Sequence, residues 1–432
     1  LDFNENEIVV IGEGIAGITA TVNLIKNGKN PILISKSFGA TAMFSGAYDI
    51  GNSSYKYRTL SESIQDITEL NKYHPYNYIK DVKTVLNESF KLVDNCLKLN
   101  LSSVSFENPN LFMPTQYGNF KPTSVVDKNN IQIELKNMID SGNSYAISSF
   151  DMFKNYHSQK LLNTLKDIAK SRNSITRFAP VKINFLKRNH DAYFQNHDFA
   201  QLLDSEKAFD KFITYLKKLS KQIDIKTIII PPILGIEEYP KLFERIKEEC
   251  DIDMCETISL TPSVPGIRLQ KAVSKYIKQN KIRKINSKVV SFKQKDGEIT
   301  HLTTQNGTEI PVCAVILATG KFIGGGIDVN QKPFESIFNL PVFYNNKGIN
   351  NYSLDLMFDN DFFKNHKIYS TGVKINDKFK PVDVCNNVIY DNLFAAGNVL
   401  QGYNYLESHG GMGVAIATGY YSAQKLIEQL QG

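Results

Sequence analysis

The apolar positions of this chain change their period at clearly marked points. Glu7-Ile8-Val9-Val10-Ile11 is an apolar run of strand length, and it enters Gly12-Glu13-Gly14-Ile15-Ala16-Gly17 without a spacer. Ile18, Val22 and Ile25 then recur four and three residues apart, which predicts a helix with one buried face. Asn27-Gly28 stops that helix, and Pro31 opens a second strand, Pro31-Ile32-Leu33-Ile34. Further along, Tyr145-Ala146-Ile147 reads as a strand. Ser158 to Ala169 reads as a helix with Leu161, Leu165 and Ile168 on one face. Ala208 to Leu219 reads as a second helix, and Ile225 to Ile230 as a buried strand. After Ile282 the period shortens. Val289 to Phe292, Glu298 to Leu302 and Thr308 to Ile310 are short strands, with Lys295-Asp296-Gly297 as hairpin chemistry between the first two. Ala314-Val315-Ile316-Leu317 is another buried strand, and it ends in Ala318-Thr319-Gly320.

Strands that alternate with helices specify an α/β protein. Ser141-Gly142-Asn143-Ser144 marks a boundary, and the character changes again near residue 281. We therefore expect an N-terminal part over 1–140, an inserted α/β domain over 141–280 and a C-terminal part with a β-meander over 281–432. A chain of 432 residues is long enough for such a division.

The charge pattern narrows the classes. The net charge is +6, with lysines spread along the chain and gathered into no arm or stripe, so nucleic-acid binding lacks its electrostatic footprint. No run approaches the roughly 18 apolar residues of a membrane span. Thr227 to Ile230, the most apolar strand, runs straight into Pro231-Pro232. The five cysteines are odd in number and scattered, which points to a reducing, cytoplasmic compartment. Cys250 and Cys255 fit neither a zinc site nor an iron–sulfur run, so no metal is expected.

The candidate chemistry begins at the first turn. In G-x-G-x-x-G between strand and helix, Gly12 permits the bend and Gly14 lets a pyrophosphate approach the backbone. Gly17 lets helix and strand pack closely, and the helix N–H groups at Ile15 and Ala16 face the phosphates. A dinucleotide fold usually ends its second strand in an acid that binds ribose hydroxyls. Here Ser35-Lys36-Ser37 stands in that place. The departure admits FAD held by Ser35 and backbone groups, a 2′-phosphate facing Lys36, or FMN, which has no AMP half.

Two further glycine sites belong with the first. One is Ala318-Thr319-Gly320. The other begins at Gly397-Asn398 and continues in Gly410-Gly411-Met412-Gly413, which opens a helix of small residues. An N-terminal turn with two returning C-terminal segments is the order of a Rossmann-type two-dinucleotide-binding flavoprotein fold. A reduced flavin carries negative charge that a helix N-terminus stabilises, and the glycines let backbone come close enough to do so.

These residues resemble a known family, the flavoprotein B subunits of anaerobic glycerol-3-phosphate dehydrogenase complexes. The matching stretches are Ile8 to Gly17, Phe44-Ser45-Gly46, His74-Pro75-Tyr76, Thr261 to Gln270, Ile316 to Gly325 and Asn392 to Gly413. The segment ending Gly266-Ile267-Arg268-Leu269-Gln270 discriminates best. The resemblance implies a flavin, FMN by family usage where the fingerprint reads FAD, with Ser45 and Gly46 among its contacts. It also implies two partners, an FAD-bearing catalytic subunit together with an iron–sulfur subunit. A small phosphorylated substrate follows from it too, as does attachment to the inner face of the cell membrane only through those partners. Oxidation of a secondary alcohol needs a base, for which His409 beside the glycines is the candidate. It also needs a cation for the phosphate, for which Arg268 is the candidate. His74 before Pro75 reads as a loop residue, and Tyr403 and Tyr405 receive no role.

Overall fold

The structure is a computed structural model that describes residues 7–51, 59–151, 153, 155–185, 194–222 and 225–432. Its elements follow from the pattern above. Strand β1 (Glu7–Ile11) leads into helix α1 (Ile15–Lys26), and strand β2 (Ile32–Ile34) lies beside β1 in parallel. A second group of strands follows: β3 (Ser144–Ser149), β4 (Arg177–Lys182), β5 (Thr227–Ile230) and β6 (Asp253–Glu256). Helix α2 (Val264–Gln279) and strand β7 (Arg283–Ile285) return the chain to the first sheet. The antiparallel strands β8 (Val289–Lys295), β9 (Glu298–Thr304) and β10 (Glu309–Leu317) come next. Strand β11 (Leu393–Ala395) and helix α3 (Gly411–Gln431) close the fold.

The main sheet runs β8-β9-β10-β1-β2-β7, with β11 paired to β10. Pairings β10–β1, β1–β2, β2–β7 and β10–β11 are parallel, so the carboxyl ends of these strands open on one edge. Ligands of open α/β sheets bind outside that edge. The second sheet, β4-β3-β5-β6, is parallel throughout. This is the α/β architecture that the sequence pattern specified. One element differs. Thr308–Ile310 and Ala314–Leu317 read as two strands, but Glu309 to Leu317 is continuous. Its first residues pair antiparallel with β9 and its last pair parallel with β1 and β11, so a single strand joins the meander to the ligand edge.

Each sheet has its own core. Val9, Val10, Leu33, Ile316 and Leu317 belong to the first, and so do Leu269, Val273 and Tyr276 from α2. Ile147, Ile229, Phe209 and Phe212 belong to the second, which also draws Met113, Ile133 and Met138 from before residue 141. Helix α3 lies along α1, and they approach closely because Gly419 carries no side chain. A Cβ there would collide with the carbonyl oxygen of Ala16.

Candidate functional site

The first turn is fixed from three sides. Gly12 has φ of +114°, and a Cβ on it would collide with the carbonyl of Ala318 at the end of β10. A Cβ on Gly17 would meet the carbonyl of Gly12. Gly397 has φ of +77° and donates its N–H to Thr418 Oγ1 at 2.9 Å; its missing Cβ would lie 2.7 Å from that of Ala16. Segments more than 300 residues apart in sequence are thus pressed together through their backbones at the start of α1.

Gly14 is different. A Cβ placed on it meets only Thr41 Oγ1, at 3.5 Å, and its φ of −63° suits any residue. The protein leaves room in front of Gly14, at the N-terminus of a helix of 12 residues. Of the first N–H groups of α1, Ile15 donates to Thr41 Oγ1 at 3.0 Å. Thr41 is a residue that the sequence reading missed, because its partner lies 26 positions away. This cradle fits a pyrophosphate.

Around the same edge lie buried polar side-chain atoms that have no partner among the described residues. They are Thr319 Oγ1 after β10, Asn398 Oδ1, both ends of the Gln401 amide and Tyr403 OH after β11, and His74 Nε2. An unsatisfied buried group costs about 1–3 kcal/mol, so a cluster of them is the mark of a site completed by a ligand. The His74 ring stands edge-on to Tyr403 at 5.8 Å and to Tyr76 at 4.7 Å. Its Nδ1 accepts the Tyr76 N–H, which puts the ring proton on Nε2, a buried atom without a partner among the described residues. Burial pushes the His74 pKa down to about 3, so the ring is a neutral donor at any working pH.

Lys321, directly after Gly320, is buried at 4% exposure. Its ammonium donates to the carbonyls of Tyr369 and Tyr403, the latter at 3.1 Å, and burial pushes its pKa down to about 7. It ties the end of β10 to the loop that carries Tyr403. A lysine at the mouth of a buried strand was the one available sequence signal for it.

Helix α3 reaches the same region through Gly410–Gly413. Gly413 donates its N–H to the Asp49 carbonyl at 2.8 Å, and a Cβ on Gly411 would lie 3.0 Å from Tyr403 OH. Gly411 and Met412 keep their N–H groups without a protein acceptor among the described residues. Gly46, at φ of +95°, packs on Pro265, and Ser45 accepts the Ser259 N–H through its carbonyl.

The two catalytic candidates lie outside this buried set. His409 is exposed and left-handed, at φ of +44°. Partial desolvation and then Lys121 hold its pKa below the ordinary histidine value, while Asp49 opposes them. Arg268 is engaged: its two terminal nitrogens hold the buried Glu256 carboxylate, its Nε donates to Gly235, and it stacks 3.7 Å over the Tyr239 ring. Three of its five N–H groups are taken up in this way, and they clamp α2 to β6. The discriminating segment around it has a packing reason. Ser263 caps α2, and Gly266 lets the helix touch the Ala42 carbonyl.

At the end of β2, Ser35 Oγ donates to the Ser37 carbonyl at 2.8 Å, and Lys36 is exposed. A carboxylate is nevertheless present. Glu13, between the first two glycines, is buried at 6% exposure and pairs with Lys284 of β7 at 2.6 Å. Lys284 stands in register with Leu33 of β2, so the pair bridges the three carboxyl ends where an acid was missing.

The sequence model of the family described as FAD binding domain matches residues 7–414. A relative from Pasteurella multocida (strain Pm70), named as the B subunit of anaerobic glycerol-3-phosphate dehydrogenase, is 25% identical over 430 residues, covering 97% of this chain and 98% of that one. A protein of the same name from Aliivibrio fischeri (strain ATCC 700601 / ES114) is 23% identical, covering 98% and 96%. Among solved structures, 3-ketosteroid Δ1-dehydrogenase from Sterolibacterium denitrificans is similar at a TM-score of 0.43 and 12% identity, covering 98% of this chain and 99% of that one.

The buried histidine sets an acid limit. Between the ordinary histidine pKa, about 6.5, and about 3, the unfolded chain holds a proton that folded His74 refuses, so stability falls as pH falls through that window. Lys321 acts with the same sign between about 7 and the ordinary lysine value. Denaturant titrations at pH 7 and pH 4 should show the native chain losing about 3 kcal/mol more than His74→Gln. Parallel losses would mean that His74 is hydrated.

Proposed function

Since the chain belongs to the FAD binding domain family, and so is a flavin-dependent oxidoreductase that carries FAD, we propose that it serves a glycerol-3-phosphate-oxidising complex as its flavoprotein B subunit. The reaction is oxidation of sn-glycerol 3-phosphate to dihydroxyacetone phosphate. Electrons then leave through an FAD-bearing catalytic partner and an iron–sulfur partner to a respiratory quinone at the inner face of the membrane. The observation that carries the reading is the buried set His74, Gln401 and Tyr403, polar and unpartnered beside the phosphate cradle. The names of relatives aligned along nearly the whole chain support the substrate. Among the described residues no helix is long and apolar enough to cross a membrane, which is consistent with a partner as anchor.

Bound FAD supplies the hydride acceptor. The chain's own residues do the rest. The space before Gly14 and the first turn of α1 receive the pyrophosphate. The Glu13–Lys284 pair takes the role of the missing ribose acid, since a carboxylate held by one ammonium keeps acceptor sites for two hydroxyls. The N–H groups of Gly411 and Met412 would stabilise the negative charge of a reduced flavin. His74 Nε2–H and Tyr403 OH orient the substrate oxygen, and His409, unprotonated at neutral pH, takes the hydroxyl proton.

A second reading is favoured by one observation. Arg268 is spent on Glu256, so a protein that relays electrons without turning over substrate would need no phosphate clamp there. Anaerobic addition of sn-glycerol 3-phosphate to the purified chain decides between them. Bleaching of the flavin band without partners is the expected result; bleaching only after the catalytic partner is added would leave the relay.

Glu13→Gln tests the ribose contact. FAD affinity of the apoprotein should fall by roughly ten- to a hundredfold while FMN affinity stays unchanged, since one hydrogen bond to a charged group is worth about 1.5–3 kcal/mol. Equal losses for both flavins would reduce Glu13 to a structural role.

A further inference from the structure

Asp49 is an acid beside the site that the mechanism above does not use. Its segment, Tyr48-Asp49-Ile50, is fixed by two neighbours. Tyr48 exchanges both backbone hydrogen bonds with Val125, at 3.0 and 3.2 Å, just after the hairpin of Leu111–Pro114 and Phe120–Thr123. The Asp49 carbonyl accepts the Gly413 N–H in the first turn of α3, and a Cβ on Gly410 would collide with the carbonyl of Ile50. The carboxyl is close enough for its charge to act on both Tyr403 and His409. Its Oδ2 accepts from the Lys121 ammonium, with Thr123 of the same strand also in reach of the group. Oδ1 is buried and has no hydrogen-bond partner among the described residues. A second such atom faces the same helix end. Tyr403 is buried at 2% exposure, and its unpartnered hydroxyl lies 3.0 Å from the place that a Cβ on Gly411 would take. Burial pushes the Asp49 pKa up, and the Lys121 ammonium opposes that by favouring the ionised form. An ionised carboxylate only accepts, and leaving one of its oxygens bare in the interior costs free energy. The group that completes it must therefore donate a hydrogen bond: a neutral hydroxyl fits, and a second carboxylate is repelled.

We infer that Asp49 Oδ1 accepts a hydrogen bond from the substrate hydroxyl that neighbours the one oxidised, so that the site selects a vicinal diol and refuses a carboxylate in that place. The inference rests on the substrate reading above and sharpens it. His74 and Tyr403 orient the reacting oxygen, and Asp49 reads the carbon beside it. The contact is a hydrogen bond and moves no proton, so His409 keeps the part given to it. A 2-hydroxy acid carries its charge where the diol carries a hydroxyl, and Asp49 separates these two classes by attraction to one and repulsion of the other.

Ligand binding to the oxidised holoprotein tests it without any turnover, read by the shift of the flavin absorption band and by calorimetry. Three ketones differ only at the neighbouring carbon. Dihydroxyacetone phosphate carries a hydroxymethyl group there, hydroxyacetone phosphate a methyl group and 3-phosphohydroxypyruvate a carboxylate. The native chain should bind the first roughly tenfold or more tighter than the second, and roughly a hundredfold or more tighter than the third. In Asp49→Asn the affinity for dihydroxyacetone phosphate should fall by roughly ten- to a hundredfold, while 3-phosphohydroxypyruvate binds more tightly than it does to the native chain. Lys121→Met should relax the same discrimination at pH 7, because an acid that has lost its ammonium takes up a proton, and raising the pH should restore it. If Asp49→Asn loses its flavin, the Lys121→Met titrations decide the matter. Equal affinity for the three ketones in the native chain, or a rank order unchanged in the variants, would overturn the inference and leave the substrate reading standing. Failure of all three to bind the native chain would overturn both.

Discussion

Carbonyl oxygens occupy the space that side chains would need at the first turn, and the rest of the fold is arranged around that fact. The carbonyl of Ala318 presses on Gly12, that of Gly12 on Gly17, and that of Ala16 on Gly419. Strand β1, helix α1, strand β10 and helix α3 can meet only because these positions lack a Cβ. Bulk at any of them forces backbone to move, and overpacking of that kind costs about 1–3 kcal/mol or more. The parallel order β10-β1-β2-β7 then brings the carboxyl ends together, which is where the unpartnered polar groups gather.

That gathering is stable only as part of a larger object. His74, Gln401, Tyr403, Asn398 and Thr319 each hold a buried polar atom without a partner among the described residues, and Lys321 is a buried ammonium held by carbonyls alone. A protein folding for its own sake would have filled these places with apolar side chains, at little cost and some gain. Their retention is the physical argument for a ligand. FAD matches the space before Gly14.

Much of this was legible in the chain. The glycine turn, the alternation of strands and helices and the two returning C-terminal segments depend on local pattern, and the structure has them. What was illegible depended on pairing across long separations. Arg268 looked like a free clamp because Glu256, twelve residues earlier, gives no sign in sequence that it is buried and waiting for it. The missing acid after β2 looked like an absence because Glu13 faces Lys284, a partner 271 residues away. His74 is the loop residue that its place before Pro75 suggested, but nothing local shows that it is buried against Tyr76 and Tyr403. Periodicity reports which face is inside; it does not report which polar atoms end inside without a partner.

We propose that the room in front of Gly14 is kept for a cofactor phosphate and for nothing in the protein. Valine at that position separates the two, because the only protein atom its Cβ would meet is Thr41 Oγ1, at 3.5 Å. Flavin content and thermal unfolding of Gly14→Val should be measured together, beside Gly17→Val as a reference. Gly14→Val should fold with the stability of the apoprotein, within roughly 0.5 kcal/mol, and retain no FAD. Gly17→Val should fail to fold. A Gly14→Val chain that purifies with full FAD occupancy would contradict the placement of the site.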